Sequence, residues 1–228
     1  MLLAAPEIST SELVEVQFSP QRLRATLTAV FDIKRAGVFQ LGLLIPEGYR
    51  IRTLRGQKIG DAQPLQIDGH HQNEEEPTRY DVNLASKAIG KVGIFVDIEK
   101  TVADPNLVTP TGEASDYPLE IPRVDPARVN RVSGNLVVNA PISLRVTPAD
   151  LDGIRSVSFK EAFKDVARVQ GMPTELRPQH SYEYSSEEFT GTFSLIRRQP
   201  EVNVDQLMHV DIESGMVTYK VELHYQIL

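Results

Sequence analysis

Cysteine is absent from the 228 residues, which removes disulfides, thiolate nucleophiles, iron–sulfur clusters and Cys-ligated zinc together. Tryptophan is absent as well, and aromatic residues make up only 7%, which counts against carbohydrate binding by stacking on flat exposed rings. Long apolar runs are missing. The opening Met1-Leu2-Leu3-Ala4-Ala5-Pro6 is far too short for a signal peptide, and no stretch approaches the ~20 residues of a membrane span, so no membrane insertion by this segment is expected. A Met ahead of a run that looks internal suggests that any signal or anchor lies outside the given sequence. Basic residues are outnumbered: 24 Lys and Arg face 31 Asp and Glu, for a net charge of −7. That balance leaves little of the counterion-release drive behind nucleic-acid binding, and no nucleic-acid partner is expected. The nearest approach to a basic block, Tyr49-Arg50-Ile51-Arg52-Thr53-Leu54-Arg55, alternates and reads as the solvent face of a strand. Also absent are a G-x-S-x-G elbow, a P-loop, a dinucleotide fingerprint and H-E-x-x-H. Paired carboxylates brought together from distant parts of the chain stay open as an enzymatic reading.

What is present is a globular composition, 41% hydrophobic and 24% charged, with a dominant period of two. Leu23, Ala25, Leu27, Ala29, Phe31 and Ile33 alternate with Arg24, Thr26, Thr28, Val30, Asp32 and Lys34. Lys34-Arg35-Ala36-Gly37 then reads as a turn, and Phe39, Leu41, Leu43 and Ile45 continue to Pro46-Glu47-Gly48, which predicts a hairpin. Further strands are expected at Tyr49–Leu54, near Leu65–Ile67, at Tyr80–Leu84 and at Val92–Ile98. The prolines at 105, 110, 118, 122 and 126 resist regular structure, so 104–126 reads as an extended connector. Beyond it, Arg131–Val138 and Ile142–Val146 predict a second hairpin. Late strands are expected at Phe189–Arg197, Val202–Val204, Leu207–Ile212 and Val217–Ile227.

One helix interrupts the pattern. Ser158-Phe159-Lys160-Glu161 is a capping box, and Phe159, Ala162, Phe163, Val166 and Ala167 form an apolar stripe that Gly171 and Pro173 end, which predicts a helix over 159–170 covering a sheet end or edge. The fold class is therefore all-β and mainly antiparallel. Two β-sandwich-like units are expected, at 12–103 and 127–228, with the short helix in the second.

Candidate sites are few. His70 and His71 with Glu74, Glu75 and Glu76 form the one cluster of imidazole and carboxylate, and His70, His71 and Glu74 are the weak candidate metal ligands. Their spacing matches no established metal pattern, and a polar run between Gly69 and Pro77 more often means a mobile solvated loop, so no cofactor is expected. Asp150 and Asp152 beside Gly153 lack the other ligands of a calcium loop and read as a turn. Ser185-Ser186-Glu187-Glu188 likewise reads as a solvated turn.

At an offset of 194 positions the chain echoes itself. Leu13, Val16 and Phe18 correspond to Leu207, Val210 and Ile212, and Leu23, Leu27, Ala29, Phe31 and Ile33 to Val217, Val221, Leu223, Tyr225 and Ile227. Any two amphipathic hairpins could align in this way. If the echo is a repeat, the last strands begin a further copy, and the final strand packs on the second unit with a partly exposed edge that favours weak self-association.

The run Gly37-Val38-Phe39-Gln40-Leu41, then Leu44-Ile45-Pro46-Glu47-Gly48-Tyr49-Arg50-Ile51, with Tyr80-Asp81-Val82-Asn83-Leu84, Lys91–Val96, Arg131–Val138 and Asp152–Val157, resembles the repeating β regions of large uncharacterised bacterial envelope proteins. The resemblance implies an extracytoplasmic, multi-domain, non-enzymatic setting, with other domains of the same protein or protein partners as neighbours, and brings no site residues. The expected function is a structural or interaction module. The rival is a ligand-binding domain or hydrolase using a cleft between the two units.

Overall fold

The structure, a computed structural model, describes residues 5–60, 64–163, 176–185, 188–199 and 201–227. In chain order the strands are β1 (Glu7–Ser19), β2 (Arg22–Leu44), β3 (Arg50–Lys58), β4 (Pro64–Leu65), β5 (Ile67–Gln72), β6 (Arg79–Thr101), β7 (Ala114–Pro118), β8 (Arg123–Val124), β9 (Arg131–Pro141), β10 (Leu144–Asp152), β11 (Ile154–Ser156), β12 (Leu176–Tyr184), β13 (Thr190–Arg197), β14 (Val202–Glu213) and β15 (Met216–Ile227). Two one-turn helices, α1 (Pro105–Val108) and α2 (Phe159–Ala162), and a 3-10 turn at Pro126–Arg128 complete the set. The fold is all-β, as the period of two predicts. No helix among the described residues is long and apolar enough to cross a membrane, a statement that leaves β-barrels untouched.

Ten strands form one sheet, in the order β11-β12-β9-β1-β2-β6-β3-β4, with β5 added to β6 and β8 to β2. Three more form a second sheet, β10-β13-β7, and β14 and β15 pair only with each other. The main core lies between the first two. Phe18 meets Phe193 edge-on with ring centroids 5.8 Å apart, and Tyr117 and Tyr182 flank that contact.

Four expectations change. The segment 34–37 is not a hairpin turn: β2 runs on to Leu44 and pairs with β6 along both lengths, its register shifting between Ile33 and Val38, where Arg35 takes φ 67°. Tyr80–Leu84 and Val92–Ile98 are accordingly two parts of the single strand β6. Two long alternating strands side by side gain more ladder bonds by bulging together than by each turning back. Second, β9 and β10 do not pair: Asn139-Ala140-Pro141, expected as the turn, belong to β9 and pair with β12, and the turn at Ile142-Ser143 carries the chain from the first sheet to the second. Third, the proline-rich segment 104–126 is more than a connector, because it supplies α1, β7 and β8. Its prolines sit at helix starts and strand ends, where no ladder donor is lost.

Fourth, the ten-stranded sheet runs through the boundary expected at 104–126. β1 pairs in parallel with β9 from Ser9↔Arg131 to Gln17↔Asn139, so 7–103 and 127–185 share one sheet instead of forming two sandwiches. The helix cap is as expected: Ser158 Oγ accepts from Glu161 N–H at 3.3 Å, and Ser158 N–H donates to Glu161 Oε2 at 3.1 Å. Residues 164–170 of the expected helix lie outside the described residues. α2 covers a face and not an edge, burying Ala162 against Leu13 and Val137 on the side of the large sheet away from the main core.

The strand order also sets a cross-strand row, Tyr184 on β12, Gly134 on β9, Glu12 on β1 and Ala29 on β2. Tyr184 reaches Glu12 only by lying over Gly134, where a Cβ would overlap its ring. Gly134→Ala is expected to lower unfolding stability by about 3 kcal/mol through that overlap; denaturant unfolding of the variant checks it, and a loss under about 1 kcal/mol, the cost of altered glycine propensity alone, would show that the ring has room to move.

Candidate functional site

His70, His71 and Glu74 lie on β5 and the turn after it. The sequence reads this stretch as a mobile loop; it is a strand instead, with His70 opposite Val82 and His71 opposite Asp81 of β6. Alternation therefore separates the two imidazoles by face. His70 lies near the Tyr80 ring, at 6.3 Å between centroids, while His71 Nε2 lies 3.4 Å from Asp81 Oδ2. Glu74 belongs to a turn held by Asn73 Oδ1, which accepts from the N–H groups of Glu75 and Glu76. The structure does not bring the three residues together, and no group of three or more His, Asp or Glu among the described residues is placed to share a metal ion. The carboxylates nearby are already matched: Arg128 pairs with Asp81 at 3.0 Å, and Arg79 with Asp125 at 3.0 Å and Glu76 at 2.8 Å. A cation would have to displace guanidinium groups.

Asp150 and Asp152 sit in β10 at a register shift, with Asp150 at φ 50° and Gly153 at φ 74°, so their residue types serve the backbone bend. Of the turn expected at 185–188, residues 186–187 lie outside the described residues.

Sequence reasoning missed Glu12. Its position in β1 faces the core with Val14, Val16 and Phe18, and it is fully buried. Glu12 Oε1 accepts from Val124 N–H at 3.0 Å, and Oε2 from the Tyr184 hydroxyl at 2.7 Å. Burial pushes the carboxyl up to about 7, against the opposing pull of those two hydrogen bonds and of the Arg123 charge. The same burial, with the Glu12 charge beside it, holds the Tyr184 phenol well above its ordinary value. This pair joins β1, β8 and β12 and is closed over by Phe189, whose ring lies 5.0 Å from that of Tyr184. It is a buried lock, with both carboxyl oxygens taken up by hydrogen bonds.

Several hollows carry acids, among them one of about 480 Å³ lined by Glu201 with Arg197 and Arg198, and one of about 250 Å³ where Glu222 pairs with Lys220 at 2.8 Å. A third, of about 290 Å³, has Glu161 and Glu183 on its rim, but Glu161 is spent on the helix cap and Glu183 accepts from Arg155 at 2.6 and 2.9 Å. Another, of about 230 Å³ between Ile45 and Phe189, is mostly apolar, and its carboxylate, Glu120, faces Lys100 at 3.4 Å. On the outer face of the large sheet Arg24 grips Asp97 with two bonds of 2.6 and 2.7 Å. Arg50 holds the Glu99 carboxyl below its usual range, with Arg52 at 3.3 Å and Arg22 at 3.7 Å. Four guanidinium groups thus share two carboxylates across β2, β6 and β3.

A large open apolar surface lies on the hairpin of β14 and β15. Its sequence expectation was packing of Val217–Ile227 on the second unit; instead the hairpin pairs with nothing else, and every residue of it whose side chain is described is exposed. One face presents Val204, Met208, Val210 and Ile212 beside Val217, Tyr219, Val221, Leu223 and Tyr225, with Gln206 as its polar member. The other face is polar apart from Leu207 and Met216. Apart from Gln206, this face is apolar along its length and open to solvent.

Its register repeats that of the first hairpin. Ser19 pairs with Arg22 and Ile8 with Ile33; 194 positions on, Glu213 pairs with Met216 and Val202 with Ile227. The exceptions recur too. Glu12, the acid within the apolar face of β1, corresponds to Gln206, and Leu13, the apolar residue on the opposite face, corresponds to Leu207.

No protein-family model matches the sequence, and no curated protein matches it. Among solved structures the chain is similar to the M1 zinc metallopeptidase of Deinococcus radiodurans in a mutant bound to a Tyr-Ser-Ala substrate, at 10% identity and a TM-score of 0.45, covering 96% of this chain and 47% of that one. It is similar also to a two-domain M1 zinc metallopeptidase mutant bound to L-tryptophan, at 11% identity and a TM-score of 0.44, covering 96% and 48%. The chain thus spans about half the length of these structures, and similarity at this level carries neither residues nor chemistry across.

The Glu12 lock gives a pH signature. Below the ordinary carboxyl value of 4.5 folded and unfolded chains both hold the proton; between 4.5 and about 7 only the unfolded chain releases it, so stability drains across that window and levels off above it. The loss is on the order of 3 kcal/mol. Glu12→Gln keeps an acceptor for Val124 without the charge, so its stability should match the parent near pH 4 and exceed it at pH 8. Chemical denaturation at both values checks this, and a parallel pH dependence in the two proteins would remove Glu12 as the source.

Proposed function

We propose that the chain is a non-catalytic structural and protein-interaction module of a larger, extracytoplasmic bacterial protein, and that the β14–β15 hairpin joins it to its neighbour. The observation that carries this reading is the hairpin's repetition of β1–β2 in register, in facing and in both exceptions, with the apolar face left open. In β1–β2 the equivalent face is closed by an apolar sheet through Phe193, Leu195 and Leu144. A hairpin on that plan requires the same kind of cover, an apolar β surface from another unit. The acids on the hollows of about 290 and 230 Å³ are engaged in a helix cap and ion pairs, which supports a non-catalytic reading of those two. The larger-protein and extracytoplasmic setting draws on the sequence resemblance alone.

A chain ending at Gln199 tests whether the hairpin is a joining element and not part of the core. The shortened chain should unfold cooperatively with a midpoint within a few degrees of the parent, because β14 and β15 contribute no strand to either large sheet. Loss of the cooperative transition would place the hairpin in the core and end the proposal.

A further inference from the structure

The hairpin's apolar face commits to an occupant by its own composition. It carries no charged side chain, its polar groups being the Gln206 amide and the Tyr219 and Tyr225 hydroxyls, so an identical face can lie on it without burying a charge or pairing like charges. Its described apolar residues are between 41% (Val210) and 78% (Ile212) exposed, an accessible area on the order of the ~800 Å² that each partner buries in a standard stable interface. Tyr219 and Tyr225 add the amphipathic rings that such interfaces favour, apolar in body with a hydroxyl for the rim. The opposite face carries Asp205, Asp211, Glu213 and Glu222 against Lys220, which suits solvent and argues against stacking through that side.

We propose that a second copy of this chain docks here, hairpin against hairpin across a two-fold axis, so that two pairs of strands close a small four-stranded sandwich. This rests on the reading of the hairpin as the joining element and names the unit it joins. A two-fold contact needs one self-complementary patch, and an uncharged two-stranded face supplies it. Packing two such faces about 10 Å apart matches the ordinary spacing of stacked sheets. The equivalent face of β1–β2 shows that this plan accepts an apolar sheet laid across it.

The test is the mass of the full chain by sedimentation equilibrium from about 1 to 200 μM, alongside Met208→Glu with Val221→Glu, a cross-strand pair central to the apolar face, and Thr218→Glu on the opposite face. The parent and Thr218→Glu should be dimers in the upper part of that range, and the double variant a monomer, a weakening of about a hundredfold or more from two buried like charges per copy. Far-ultraviolet dichroism and the thermal midpoint of the double variant should stay at parental values, which separates lost docking from lost folding. A parent that remains monomeric overturns the proposal and leaves the face to another part of a longer protein. A double variant that still dimerises overturns it in favour of backbone pairing along a strand edge. Neither result bears on the folding of the chain ending at Gln199, so failure here is distinct from failure of the proposed function.

Discussion

The parallel pairing of β1 with β9 is the constraint on which the rest of the molecule depends. It brings residues more than a hundred positions apart into one ladder, and it places Gly134 beside Glu12 so that Tyr184 can cross the glycine and reach the carboxyl. From that carboxyl the second hydrogen bond goes to Val124, whose strand pairs with β2. One buried acid therefore fixes β12 and β8 relative to the strand between them. A buried polar network of this sort is favourable only when every member is satisfied, and here the geometry satisfies both carboxyl oxygens.

The alternation of apolar residues makes the strands, their faces and the all-β class legible. β15 and the core face of β2 can be read residue by residue, because a single buried face forces a period of two. The helix start is legible for a different reason: Ser158 and Glu161 satisfy local donors without reference to the remainder of the fold. The long strands β2 and β6 were divided into pieces, since a bulge at Arg35 uses the same residue types as a turn. Which strand pairs with which is not written locally at all. The parallel partner of β1 and the sheet change after Pro141 depend on contacts between distant segments, so the division into two units looked natural in the chain and is absent from the sheet.

Glu12 was hidden for a related reason. In β1 the inward positions are Ile8, Thr10, Glu12, Val14, Val16 and Phe18, and the neighbouring Leu13, Glu15 and Gln17 blur the phase. Leu13 belongs to the other face, where α2 covers it. Leu13 and Leu207 hold equivalent register positions in their hairpins, and the structure places each on the face opposite the main apolar one. An exception shared by two hairpins carries more weight than a shared alternation, because alternation is what any half-buried strand displays. The histidines failed as a site on the same geometric ground: adjacent residues on a strand face opposite ways.

The placement of β1 has a mechanical consequence. Tension entering the chain at its N-terminal end arrives at a strand held on both sides, antiparallel by β2 and parallel by β9. Such a strand cannot be peeled off one hydrogen bond at a time from a free edge; both ladders must slide together, so the load is shared among many bonds before any gives way. The exit toward the last hairpin is arranged in the same manner, for β13 lies between β10 and β7. A pull along the chain thus meets a doubly clamped strand at either end of the two large sheets, while β14 and β15, clamped only to each other, would yield first and act as an extensible link outside them.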